Sequence, residues 1–341
     1  MVALYIVSSE KTVGKTTIGV GVGKRLLGEG KKVGFLKPIL ADKKPEGSER
    51  DAAFMKQALS LPEPVDSMCS LISGERSLAD GIREAYIKVS QNKDVIIVEG
   101  RCGQSPDDNL SKAAYEIART LKAKVIMVAG YSNGSSTAGI INSYQGFGEN
   151  LLGVVLNKVP KSQLKRVCEK MTAKFSEAEL RILGVLPEDR ILFTLTIGEL
   201  ADSIQGEMLN NAEKSAELVE NIMAGAMCVD SGLEYFGRKT NKAAVVRDDR
   251  PDMQMAALET STRCLVISGS TAPIDYVRDK AEDKGVPIIL TKNDTSTIVK
   301  NIEDALDKAQ FNQEKKLVKL AEILEQNLDF PAIYSGLGLA K

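Results

Sequence analysis

The run Ser9-Glu10-Lys11-Thr12-Val13-Gly14-Lys15-Thr16-Thr17 holds the residues whose types and spacing point most directly to chemistry. Except for Ser9, where a glycine is usual, it follows the pattern G-x-x-x-x-G-K-[ST]. Backbone N–H groups of such a loop, and of the helix that follows it, converge on an anion. Lys15 adds a mobile positive charge for β- and γ-phosphates, and the Thr16 hydroxyl is placed to ligate Mg2+. Gly14 lets the backbone approach closely. Nucleotide binding is therefore expected at Glu10, Lys11, Thr12, Val13, Gly14, Lys15, Thr16 and Thr17. The alternative is a worn loop kept only as a structural turn.

Such a loop must be held between a strand and a helix. Val2–Val7 has the pattern of a buried strand, and residues 15–27 that of a helix. Further strands are expected at residues 32–36, 95–98, 125–128, 152–156 and 182–186, with helices at 50–59 and 77–91 between them. Strands alternating with helical stretches argue for an α/β fold with a parallel sheet covered on both faces. The rhythm breaks at Pro187-Glu188-Asp189. A short helix within residues 194–205 then opens a second, smaller α/β unit. Its apolar runs are 243–246, 264–268 and 287–290, and its helical stretches are 252–259, 275–284 and 297–309. Residues 314–326 form an amphipathic helix with Leu317, Leu320, Ile323 and Leu324 on one face. A glycine-containing tail, expected to fray, follows it. The domain reading is thus residues 1–192, 193–310 and 311–341.

Composition narrows the chemistry. The 341 residues carry 45 Lys plus Arg against 46 Asp plus Glu, a net charge of −1. That balance supports neither nucleic-acid nor anionic-membrane binding. There is no histidine, which removes Ser-His-Asp catalysis and His-ligated zinc or haem. Cys69, Cys102, Cys168, Cys228 and Cys264 are too far apart for a C-x-x-C motif and read as reduced thiols. No signal peptide or membrane span is evident, so a cytoplasmic protein is expected.

Further matches resemble a known family. The loop, then Gly34-Phe35-Leu36-Lys37-Pro38, Asp51, and Val98-Glu99-Gly100 resemble dethiobiotin synthetase in that order. This is a branch of the ATP-dependent P-loop proteins that includes the cobyrinate amide synthases. The resemblance implies ATP and Mg2+ as cofactors. Asp51 and Glu99 would help Thr16 hold the metal, and Lys37 would face the phosphates with Lys15. Asn157, in Leu156-Asn157-Lys158-Val159-Pro160, matches the position that reads adenine. Each has a structural alternative. Lys37 would be a solvated strand-end charge, Asp51 a carboxylate stabilised by a helix N-terminus, and Asn157 a turn residue. Glu99 closes a buried strand and needs a partner in either case. Two departures lie on the substrate side. Gly100-Arg101-Cys102-Gly103 replaces a small-residue turn, and Ala41 replaces a hydroxyl. Dethiobiotin synthesis itself is therefore not expected.

In the second unit, Ile197-Gly198-Glu199-Leu200-Ala201, Met223–Met227 and the stretch Asp249-Arg250-Pro251-Asp252-Met253 resemble a DRTGG domain. This arrangement is similar to the N-terminal half of long bacterial phosphate acetyltransferases, with the chain ending where the acetyltransferase domain would begin. The resemblance implies a regulatory role, a homodimer formed through the second domain, and a protein partner in acetate or acetyl-CoA metabolism. Asp249, Arg250 and Asp252 would form an effector or dimer site. In the structural alternative Asp252 caps a helix and Arg250 pairs with Asp249. Met223, Met227, Met253 and Met255 read as core or dimer contact rather than a cofactor box. The functional expectation is a Mg·ATP-binding regulatory or sensor protein. The alternatives are an ATP-dependent carbon–nitrogen ligase, using Lys15 and Lys37 as catalytic groups, and an interaction scaffold that binds no nucleotide.

Overall fold

The computed structural model describes residues 1–8, 13–40, 49–72, 77–100, 112–131, 146–225, 232–308 and 316–339. Backbone contacts divide the chain into two units, Met1–Asp189 with Phe311–Lys341, and Arg190–Gln310.

The first unit is wound around β1 (Val2–Val7), whose last five residues are all buried. From β1 the chain continues through α1 (Lys15–Gly28), β2 (Val33–Leu36), β3 (Ile39–Leu40), α2 (Arg50–Ala58), α3 (Val65–Met68), β4 (Leu71–Ile72) and α4 (Leu78–Ser90). It goes on through β5 (Val95–Glu99), α5 (Lys112–Leu121), β6 (Lys124–Gly130), β7 (Leu151–Val159) and β8 (Ile182–Pro187). Six strands form a parallel sheet in the order β2-β5-β1-β6-β7-β8. The apolar run of β5, buried throughout, is what a central parallel strand requires, because neither face meets water. β1 lies between β5 and β6 and runs parallel to both, so the carboxyl ends of the three strands share one edge of the sheet. Ligands of open parallel sheets bind at that edge.

Helix α1 comes close to the sheet through its glycines. A Cβ on Gly23 would lie 2.9 Å from a Leu59 methyl and 3.1 Å from Ile97 Cδ1. On another face of α1, a Cβ on Gly21 would fall 2.0 Å from Leu324 Cδ1. That contact seats the helix Leu317–Asn327 against α1, with Leu317, Leu320, Ile323 and Leu324 buried. The tail does not fray as expected. Asp329 caps a further helix, Phe330–Gly336, by accepting from Ala332 N–H at 2.9 Å. Phe330, Ile333, Tyr334 and Leu337 are buried, and that apolar surface orders the segment.

The second unit adds β9 (Leu195–Thr196), β10 (Glu207–Met208), β11 (Leu218–Val219), β12 (Asn221–Ala224), β13 (Lys242–Arg247), β14 (Thr262–Ser268) and β15 (Ile288–Thr291). Its sheet has the order β10-β15-β14-β13-β12. β12 to β15 run parallel and β10 pairs antiparallel at the edge. The expected short helix is Ile197–Ser203, held by a capping box between Thr196 and Glu199, a reciprocal pair of bonds that satisfies two orphan N–H groups. Strand alternation sends Ala243, Val245, Cys264 and Val266 into one core with Leu200, Ile298 and Ile302. Ala244, Val246, Leu265 and Ile267 enter another with Phe236, Met253 and Val277. Met223 and Met253 are core residues, while Met227 lies outside the described residues.

Among the described residues Cys69, Cys168 and Cys264 are unbridged; Cys102 and Cys228 lie outside them. No helix in the described residues is long and apolar enough to cross a membrane.

Candidate functional site

Gly14 is the N-cap of α1, at φ 92° and ψ 32°. That left-handed conformation strains any residue with a Cβ, so the glycine is what lets β1 turn into α1 at this point. Ile18 N–H closes the first helical bond to Gly14 O at 3.0 Å. Lys15 and Thr16 are half-buried and Thr17 is buried. The first turn of α1 therefore follows Gly14 directly, and the dipole of a helix N-terminus favours an anion there. Glu10, Lys11 and Thr12, with Ser9, lie outside the described residues, as do Ala41 and the turn residues Arg101, Cys102 and Gly103.

Sheet register builds the other half of the site. Ile6 of β1 pairs with Glu99 of β5, and Gly100 N–H bonds back to Ile6 O at 2.8 Å. Leu36 of β2 pairs with Val98, so Lys37, one residue on, stands level with Glu99. Asp51 is in the first turn of α2. Three elements thus bring Lys37, Asp51 and Glu99 together. Lys37 Nζ donates to Glu99 Oε1 at 2.9 Å and also to Asp51 Oδ2. Lys37 is therefore not a solvated strand-end charge: its side chain is 18% exposed and that of Glu99 5%. Burial works against the Lys37 charge, but the carboxylates of Glu99 and Asp51 outweigh it and hold its pKa above the ordinary lysine value. Glu99 Oε2 is buried with no hydrogen-bond partner among the described residues.

A buried carboxylate oxygen without a partner is costly. Here it lies at the carboxyl edge, on the strand beside β1. The described residues contain no group of three or more His, Cys, Asp or Glu able to hold a metal by themselves. The two carboxylates that meet on Lys37 are hard oxygens, as is the Thr16 hydroxyl expected to join them. Such a set fits Mg2+, which takes one or two carboxylates and completes its shell with phosphates and water.

Asn157 closes the site from β7. It is 8% exposed. Its Nδ2 donates to Val13 O at 2.8 Å, and its Oδ1 accepts from Lys158 N–H at 2.9 Å. Its side chain thus ties the end of β7 to the loop backbone. The sequence did not reveal this bond, because its partners are 144 positions apart.

In the second unit, Asp249 and Arg250 do not pair with each other. Arg247 Nη2 donates to Asp249 Oδ2 at 2.5 Å. Arg250 grips Asp252 through Nε at 2.9 Å and Nη2 at 2.7 Å. Arg250 is the N-cap of the helix Pro251–Leu258, with no side-chain capping bond and Pro251 at its start. Asp252 therefore acts as a first-turn carboxylate, not as the N-cap. The bond from Arg250 holds its pKa below the ordinary aspartate value. The same helix buries Gln254, whose Nε2 donates to Arg247 O at 2.8 Å.

Known proteins agree with this division. Residues 2–193 match the family described as AAA domain, and residues 199–305 match the DRTGG domain. Phosphate acetyltransferase of Pseudomonas aeruginosa is 24% identical, over 97% of this chain and 51% of its own length. The Deinococcus radiodurans enzyme is 25% identical, over 75% of this chain and 39% of its own length. The chain thus spans about half or less of the length of these relatives. Among solved structures, MinD of Aquifex aeolicus is similar with a TM-score of 0.37 and 19% identity, over 56% of this chain and 84% of that one. The CBS and DRTGG regulatory region of Clostridium perfringens pyrophosphatase has a TM-score of 0.31 and 16% identity, over 44% and 74%. TM-scores this low carry no weight for the fold. The AAA match extends over more than half of the 341 residues, and the chain belongs to the AAA domain family, with a DRTGG domain following in sequence.

Proposed function

We propose that this chain binds Mg·ATP in its first unit and acts as a regulatory or sensor protein, with the second unit taking an effector or a partner. The observation that carries the reading is the arrangement at the carboxyl edge. A helix N-terminus led by Gly14-Lys15-Thr16 follows β1, beside the strand that ends in a buried glutamate with one oxygen unpartnered among the described residues. Lys15 and Lys37 would contact the phosphates, while Thr16, Asp51 and Glu99 would hold the metal. When bound, Mg2+ would neutralise phosphate charge at this edge. Asn157 would stand beside the loop on the adenine side. Similarity to about half or less of the length of phosphate acetyltransferases supports a regulatory place in acetyl-CoA metabolism. Asp249, Arg250 and Asp252 are proposed as the effector or dimer contact of the second unit.

Isothermal titration with ATP, ADP, GTP and acetyl-CoA in the presence of Mg2+ tests this. Saturable binding of an adenine nucleotide is expected. Phosphate release separates the sensor from the ligase reading. Slow turnover fits a sensor, whereas a burst that requires a diamine and bicarbonate, with a cyclic urea product, would establish a ligase.

A further inference from the structure

Lys37 is held by the two carboxylates that the proposed function assigns to a metal. Its ammonium donates to Glu99 Oε1 at 2.9 Å and to Asp51 Oδ2, deep enough that Glu99 is 5% exposed. A divalent cation approaching the same oxygens meets a positive charge already in place. To take Glu99 Oε1 it must displace the ammonium, and an ammonium left half-buried beside a dication without an anion is strongly disfavoured. Glu99 Oε2 is buried without a hydrogen-bond partner among the described residues, but it belongs to the same carboxylate. A metal there stays within a few ångströms of Nζ.

A polyphosphate changes this balance. It brings several negative charges to the N-terminus of α1, and Lys37 can transfer to them while the carboxylates pass to the metal. Every buried charge then keeps a partner through the exchange.

We infer that Lys37 occupies the place of the divalent cation in the nucleotide-free protein, so that the site rejects free metal and admits it only together with a polyphosphate. The inference rests on the proposed Mg·ATP reading for the identity of the ligand, but the rejection of free metal is measurable without any nucleotide. Lys37 is in this sense a positioning and specificity residue: it makes metal and phosphate binding cooperative, and such coupling is reciprocal between the two ligands.

Mn2+ alone, followed by its paramagnetic resonance signal, is the probe. Without nucleotide, Lys37→Met and Lys37→Gln are expected to bind Mn2+ about tenfold or more tighter than the wild-type chain. Lys37→Arg keeps the charge and is expected to resemble wild type. Bound Mn2+ should raise the melting temperature of the two neutral variants more than that of wild type. Equal Mn2+ affinity in wild type and either neutral variant would overturn the inference. Wild-type protein that binds Mn2+ as tightly without ATP as with it would do so too, whatever the variants show. Failure to bind any nucleotide would instead count against the proposed function and leave the comparison of Mn2+ affinities to decide this inference alone.

Discussion

Asn157 and Gly14 are fitted to each other. A Cβ on Gly14 would lie 2.5 Å from Asn157 Nδ2, at a φ of 92° that already disfavours a side chain. Gly14→Ala is therefore expected to lower the melting temperature and to disturb the loop bond to Val13 O. Asn157→Ala would remove the bonds to Val13 O and from Lys158 N–H, costing about 1–3 kcal/mol in chemical denaturation. Because the bond braces the loop, the same variant should lose affinity for inorganic tripolyphosphate as well as for ATP. A loss confined to ATP, with tripolyphosphate unaffected, would make Asn157 a base reader only. Base preference itself should favour adenine. Guanine readers of this class typically use N-K-x-D, and here Asn157-Lys158-Val159 is followed by Pro160, which has no carboxylate. Equal or tighter GTP binding in competition would contradict this.

At the scale of elements, the strands were legible because an apolar run at the centre of a parallel sheet leaves a continuous signature. β1 has its expected bounds, and β5 is one residue longer, ending in Glu99. Two-residue strands such as β3, β4 and β10 were not legible, since so short a pairing leaves no period to read. The loop residues of the site were legible from type and spacing. The junction of Lys37, Asp51 and Glu99 was legible only through resemblance, since it depends on the register of β2, β5 and β1. The pairing of Asp249 with Arg247 instead of Arg250 depends likewise on how the chain leaves β13. Lys242, at the start of β13, had no sequence signal. It is fully buried, and its Nζ donates to Thr260 Oγ1 at 2.8 Å, Ser261 O at 2.9 Å and Lys239 O at 3.3 Å. Burial pulls its pKa from 10.5 down to about 8. The folded state then holds this proton less tightly than the unfolded chain, so this group's contribution to stability rises with pH from about 8 up to the ordinary lysine value. Lys242→Met should flatten that rise in melting temperature. An unchanged pH profile would show that its acceptors offset the burial.

For the whole molecule, the second unit covers the apolar faces of its own sheet, with a core on each side. The case for a homodimer therefore passes to surface residues. Leu233, Ile274 and Tyr276 are 56%, 55% and 67% exposed, and a second copy of the chain is expected to cover them. Light scattering of the full chain should give a dimer, and Ile274→Asp with Tyr276→Asp should give a monomer; a monomeric wild type at tens of micromolar would refute this. Catalysis is expected to be slow at best. The chain has no histidine, and the carboxylates of its candidate site are engaged with Lys37. The site can still favour phosphate binding by position and charge. The most direct test is equilibrium binding of Mg·ATP to the wild-type chain and to Lys15→Ala. Losing one charge-assisted contact to phosphate is worth about 1.5–3 kcal/mol, or roughly tenfold or more in affinity. The account predicts saturable binding by wild type, weakened by at least that factor in Lys15→Ala. Equal affinity of the two proteins, or no binding by wild type, would contradict it.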